Sequence, residues 1–461
     1  MILVASLLVA ETGRAQESGP VYIVQAGDSL SSIAARFNLT VGELMAANNI
    51  TDPNLLGAGQ ELIIPGLEGV VGTLDTEYID LGDSYRTLLR RTQLPEDLFQ
   101  RLNRLVSPTE FYVGASMIVP SSGSESQPTA RLTPSAGQSL LELAMRAGTD
   151  AWTLAGRNKL PGTWAALPGD VLFAPSGEDQ PIITGLPSAF QTAQIRALPI
   201  RQGGTVVIEV RTDPTTAVSG LLVDHTLHFF PEADGTQVSL QGVHALLDPG
   251  VYPLRLDATL QDGSAQSFEQ MVLIVSGNYI PEVIPVNDAA TIDPAVSAAE
   301  LEQVLAIVSE ATPARAWQNL YQLPVAPPGL DCIKDWFGRP RTYLAPGTDL
   351  TLTGFHAGVD FGVCSESHPF DISAPAPGSI VFAGPLPVCG NATIIDHGWG
   401  VFTRFCHQSE INVSAGQAVQ AGELVGKIGA TGRVTGPHLH WEVWAGGVQV
   451  EPLDWLEQVF P

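Results

Sequence analysis

An internal repeat constrains this chain more than any other feature of it. Gly27, Gly82 and Gly137, in the triplets GDS, GDS and GQS, each open a stretch with three further matches in register. An Asn follows 21 residues later (Asn48, Asn103, Asn158), a Gly 32 later (Gly59, Gly114, Gly169) and a Pro 38 later (Pro65, Pro120, Pro175). A period of this size means one small supersecondary unit used three times. Each copy reads as strand, helix, helix, strand. An alternating strand turns at the Gly and enters a helix, capped in the first copy by Asp28 or Ser29, and ELIIP, SMIVP and VLFAP are the closing strands. The copies fall at 20–66, 75–121 and 130–176.

The first copy, YIVQAGDSLSSIAARFNLTVGELMAANNITDPNLLGAGQELIIP, resembles a LysM domain over nearly all of Val21 to Pro65. That family binds glycans containing N-acetylglucosamine. The resemblance implies a sugar groove between the first strand-helix loop and the second helix-strand loop, which here means Asp28, Ser29, Leu30, Asn54 and Leu55. Copies two and three keep the framework and lose much of the loop chemistry. Sugar binding and a role as spacers are equally open for them.

At 461 residues the chain exceeds one ordinary core, so further modules follow the repeats. Asp and Glu outnumber Lys and Arg by 48 to 22, for a formal charge of -26, which argues against nucleic acid as a partner. The opening MILVASLLVA, followed by polar ETGRAQES, reads as a secretory signal peptide over 1–16, although the usual positive start is missing. No later apolar run approaches the roughly 20 residues that span a bilayer, so no membrane span is expected after signal removal. Residues 187–277 carry short alternating strands such as TVVIEVRT and VYPLRLDATL between turns, the pattern of an immunoglobulin-like sandwich. His225, His228 and His244 lie there without ligand spacing and read as ordinary strand or surface residues. Residues 278–330 read as a linker with one helix, AAELEQVLAIVSEA. The fold class expected is multidomain and mainly β, with α+β repeats and a C-terminal antiparallel β domain at 331–461.

Six of the nine histidines fall after residue 350. FHAGVDFG sets His356 and Asp360 four apart, about 13 Å in an unbroken strand, so Gly358 has to bend the chain for one metal to reach both. GPHLHWEV puts His438 and His440 on one face of a strand. Two imidazoles and a carboxylate with an open fourth position are a catalytic zinc set. HAGVD, TRFCH and HLHWEV, in that order over about Asp335 to Leu456, resemble a lysostaphin-type zinc metallopeptidase. The resemblance implies one Zn2+ held by His356, Asp360 and His440, with His407 and His438 handling protons and stabilising the transition state. The implied activity is hydrolysis of peptide cross-links in peptidoglycan by a secreted enzyme. The family more often has Gly-His-Leu where this chain has Cys406, His407 and Gln408. His397, in IIDHGWG, reads as structural at a hairpin tip, and His368 has no assigned role. Against the enzyme stands a catalytically silent wall-binding regulator of amidases, which intact ligands disfavour. A glycan-cleaving hydrolase would need a positioned acidic pair, and none stands out.

The four cysteines, Cys332, Cys364, Cys389 and Cys406, allow two disulfides in three connectivities outside the cell. A hairpin centred near His397 and Gly398 sets Cys389 opposite Cys406 and leaves Cys332 for Cys364. Strand alternation then puts Cys406 on the face away from His407, behind the zinc site.

Overall fold

The structure is a computed structural model describing residues 19–461 apart from 26–27, 38, 68–69, 71, 93, 104–110, 122–129, 135–136, 168–169, 178–185, 286–291, 327–328, 346–350 and 364–369. The expected leader at 1–16, His368 and the Cys364 half of the expected Cys332–Cys364 pair lie outside the described residues.

The period corresponds to three strand-helix-helix-strand units, and its Asn explains why. Asn48 donates to Leu44 O and Ile63 O, both at 2.8 Å, while its Oδ1 accepts from Ile63 N. Asn103 makes the same three bonds to Phe99 and Ile118, and Asn158 to Leu154 and Phe173. Each Asn thus ties the end of the second helix to the closing strand, satisfying backbone groups that would otherwise be left unpaired. Ser29, not Asp28, caps Leu30–Arg36, in a reciprocal box with Ser32. Asp28 instead accepts from Tyr22 Oη at 2.7 Å and Gln25 N at 2.9 Å.

The units are fused to one another. Val21–Ile23 pairs antiparallel with Glu61–Ile63 and parallel with Thr73–Tyr78, which pairs with Ser116–Ser121, so units one and two share a four-stranded sheet. Arg90 of unit two is 2% exposed and donates to Asn158 O and Val171 O of unit three. Unit two also reaches onward: Val113 N donates to Met271 O at 3.0 Å, and Leu273 N to Val113 O at 2.8 Å.

The middle region is a sandwich of two sheets. A five-stranded sheet contains Ala217–Leu222, Gly250–Thr259 and Ala265–Val275, and a four-stranded sheet contains Phe190–Ile195, Thr205–Thr212 and Gln237–Gly242. Ile208 and Val210 from one meet Leu254, Leu256, Val272 and Ile274 from the other in a single core. Alternation sends Val207, Val238 and Leu240 to the opposite face, where they join the core of the C-terminal region beside Val443 and Val450.

That C-terminal region is built on an antiparallel sheet running Ile333–Asp335, Val359–Phe361, Leu439–Ala445, Val401–Gln408, Gly390–Gly398, Gly378–Leu386 and Ala418–Val419. The segment expected as a linker belongs to it. Glu282–Pro285 pairs with Pro340–Leu344, and Trp317 and Tyr321 enter the main core. The helix runs Pro294–Val308, earlier than expected because Asp293 caps it with Pro294 in its first turn. Its Val304 and Val308 pack against Leu386, Phe402 and Trp444.

The hairpin differs from its expected form. Its tip is Trp399 and Gly400, with φ of 56° and 73°, so His397 sits within the strand Gly390–Gly398 rather than in the turn. Thr393 faces Phe405 and Asp396 faces Phe402, which shifts the register about three residues from a centre at His397 and Gly398. Cys389 and Cys406 are nevertheless disulfide-bonded, with Cα atoms 4.9 Å apart, because Cys389 lies in the turn just before its strand and folds back.

Candidate metal centre

The approach to the site begins at Gly358. The strand Thr351–Phe355 stops before His356 and resumes at Val359–Phe361, so residues 356–358 form the required bend. A Cβ on Gly358 would lie 2.3 Å from Trp441 O, so only glycine lets the two segments approach this closely. Asp360 is then paired directly with His440 across the sheet.

Three donor atoms converge there. His356 Nε2 lies 3.0 Å from both Asp360 Oδ1 and His440 Nδ1, and His440 Nδ1 lies 2.8 Å from Asp360 Oδ1. Ligands about 2.1 Å from a tetrahedral zinc stand roughly 3.4 Å apart, so this set fits one such ion. Each imidazole is held by its other nitrogen: His356 Nδ1 donates to Trp336 O at 2.8 Å, and His440 Nε2 to Glu442 Oε1 at 3.0 Å. In the neutral rings those bonds leave lone pairs on the two converging nitrogens, where a bound cation would take the place of a proton. The electrostatics also favour a cation. Burial alone would lower the His440 pKa, but its bonds to Asp360 and Glu442 raise it to about 9. Burial works against the Asp360 carboxylate too, yet His356 and His440 hold it well below the usual range.

His407 and His438 stand beside this cluster, their rings 4.8 Å apart and that of His407 6.1 Å from His440. His407 Nδ1 donates to Thr431 O and His438 Nδ1 to Gly436 O, both at 2.8 Å, leaving each Nε2 as an acceptor. Burial, with His440 and His438 nearby, pushes His407 down to about 3 and keeps its ring neutral. His407 has φ of 63°, a bulge that corrects one expectation. Alternation fails there, so Cys406 and His407 do not face opposite sides. Cys406 lies directly opposite His440 in register and shares its face. Cys406, His440 and Glu442 gather closely as well, but the sulfur is spent in the disulfide and offers no thiolate.

The other candidates are placed elsewhere. His397 is fully buried between Pro377 O and Thr403 Oγ1. His244 packs edge-on against Phe355. Of the proposed sugar-binding residues, Leu55 is 74% exposed, while Leu30 is 2% exposed in the core of its unit and cannot line a groove with its side chain. Ser29 Oγ is occupied as a cap, and Asn54 turns both of its nitrogens to Asp52. Sequence reasoning gave Glu442 no role, although its place two residues beyond His440 on a strand puts it on the same face. The Trp336 carbonyl and the helix-borne Glu300, described below, carry no signal of that kind.

Comparison with known proteins agrees with this geometry. Residues 354–452 match the profile of "Peptidase family M23" and residues 22–65 that of "LysM domain". DD-carboxypeptidase/endopeptidase Mpg of Neisseria meningitidis is 40% identical over 98 residues, which are 21% of this chain and 22% of that protein. Peptidoglycan DD-endopeptidase ShyA of Vibrio cholerae is 38% identical over 98 residues, with the same shares. The chain thus matches only about a fifth of the length of these curated relatives. The solved structure of the antimicrobial peptidase lysostaphin from Staphylococcus simulans is 30% identical, covering 22% of this chain and 44% of that one at a TM-score of 0.20. The stretch holding His356, Asp360, His407, His438 and His440 thus lies within the residues that match the peptidase family M23 profile, and the LysM match lies near the start of the same chain.

Proposed function

We propose that this chain is a secreted zinc metalloendopeptidase that hydrolyses peptide cross-links of bacterial peptidoglycan and is held on the wall by glycan binding at its LysM domain. The observation that carries the reading is the convergence of His356 Nε2, Asp360 Oδ1 and His440 Nδ1 beside two further histidines, one of which, His438, holds its Nε2 3.7 Å from Asp360 Oδ2. A zinc ion bound there would polarise the scissile carbonyl and bring the pKa of its water towards neutrality. Trp336 O and Glu442 orient the ligand rings. His407, kept neutral by burial, and His438 accept and return the proton at Nε2. The names of Mpg and ShyA point to the D,D cross-link as the bond cut.

Several features support the rest of the reading. The Cys389–Cys406 disulfide suits an oxidising, extracytoplasmic setting, and among the described residues no helix is long and apolar enough to cross a membrane. In this account 75–121 and 130–176 are degenerate LysM units and the sandwich at 187–277 is immunoglobulin-like. The peptidase domain at 331–461 takes in the helix of 278–330 as well. A silent wall-binding regulator is the alternative, and the complete ligand set counts against it. Digestion of sacculi of known cross-link type, with mass spectrometry of the released muropeptides, tests the proposal. D,D-linked dimers converted to monomers are expected; dimers left intact by zinc-loaded protein would refute it.

A further inference from the structure

Behind the ligand His440 runs a line of buried charge that leaves the M23 domain. Glu442 receives His440 Nε2 on Oε1 and Trp444 Nε1 on Oε2, at 3.0 and 2.7 Å. Arg404, paired with Glu442 across the sheet, places Nη1 3.6 Å from that second oxygen. Its Nη2 donates to Glu300 Oε1 at 2.6 Å. Glu300 lies on the helix Pro294–Val308, before the stretch that matches the peptidase family. The same carboxylate accepts from the backbone N–H groups of Val388 and Cys389, in the turn whose Cys389 is bonded to Cys406, directly opposite His440. Glu300, Arg404 and Glu442 are 4%, 6% and 3% exposed.

Packing alone does not call for such a residue. Val304 and Val308 already seat the helix with no exposed surface, and a buried carboxylate is a liability unless it is matched. A guanidinium between two carboxylates is shared, and the share taken by Glu300 keeps Arg404 from closing fully on Glu442. Glu442 then remains a strong acceptor for His440, and the bonded turn stays anchored against the same strand pair. Outer partners of this kind set ring orientation and ligand basicity at metal sites.

We propose that Glu300 is a positioning residue for the metal site, acting on His440 through Arg404 and Glu442 and through the Cys389 turn, so that the upstream helix completes the peptidase centre. The inference rests on the metal reading above. Zinc affinity by chelator competition and the visible spectrum of the Co2+-loaded full chain test it without recourse to activity. Native protein without stoichiometric zinc would remove the metal reading itself. Given zinc in the native chain, Glu300→Gln should weaken affinity about tenfold and shift the Co2+ bands. Val304→Ala, which loosens the same helix without touching a polar atom, should leave both near native. The double variant with Glu442→Gln should bind little worse than Glu442→Gln alone, as residues on one line do. An affinity within about twofold of native in Glu300→Gln, strict additivity in the double variant, or an equal loss in Val304→Ala would each overturn the proposal. Should Glu300→Gln fail to fold, Arg404→Lys breaks the line at its middle while keeping the charge. A loss of about tenfold there supports the proposal and native affinity overturns it.

Discussion

The N-terminal repeats and the peptidase domain both bury polar side chains, and they use them in opposite ways. In the repeats, Asn48, Asn103 and Asn158 turn both polar atoms of the side chain to backbone groups of their own unit. At the candidate metal centre, His356, His440, His407 and His438 each use one ring nitrogen for anchorage and turn the other to a common region. A polar group with all of its valences satisfied is architecture. One held by half of them is a reagent, positioned by the bonded half.

The contrast is broken or sharpened most severely by His440→Ala, which should abolish stoichiometric zinc and with it cleavage of cross-linked muropeptides. Metal content by mass spectrometry equal to native would remove His440 from the ligand set. Next in size, His407→Ala and His438→Ala should keep zinc and lose turnover by about a hundredfold or more, as proton-transfer groups do. Loss of metal in either would make that residue a ligand, and native turnover in both would sink the mechanism.

His397 belongs with the architectural group despite its place in the peptidase domain, and pH exposes this. Burial depresses its folded pKa to about 4 from an unfolded value near 6.5. Between those values the unfolded chain holds the proton and the folded chain does not. The contribution is therefore intact above pH 6.5 and is lost as pH falls towards 4, by about 3 kcal/mol over the window. Denaturant titrations of His397→Gln should show a shallower loss over that range than native protein; parallel curves would mean that His397 is not buried neutral. The smallest effect is expected for Asn158→Ala. It leaves Phe173 N without an acceptor, costs about 1–3 kcal/mol and should leave zinc affinity unchanged. A change in zinc affinity would show that the two regions are not separate in function.

The contrast also marks what sequence could reveal. The Asn and Gly period stood out because each copy solves the same local problem at the same spacing, the HxH pair because alternate residues on a strand share a face, and HxGxD because its glycine lets the chain bend. Three things were hidden. A turn carried by Trp399 at positive φ has no residue preference to announce it, so the hairpin register was misplaced. The Cys389–Cys406 pair was anticipated from that misplaced register, and it forms for a different reason, the fold-back of the turn at Cys389. Glu300 meets Arg404 across 104 residues, and helical pattern alone said nothing of which sheet the helix would cover.

The parallel pairing of Val21–Tyr22 with Thr73–Leu74, and the bonds from Val113 to Met271 and Leu273, have a mechanical consequence. Because the sandwich shares its core with the C-terminal region, the first unit and the histidine cluster are joined by hydrogen-bonded sheet and packed side chains. Under the proposed function such a molecule would work at a fixed stride: wherever the first unit bound the wall, the bond within reach would lie at one set distance and bearing. Enlarging that reach would take an inserted hinge, and the choice of cross-link would then follow the mesh's own spacing.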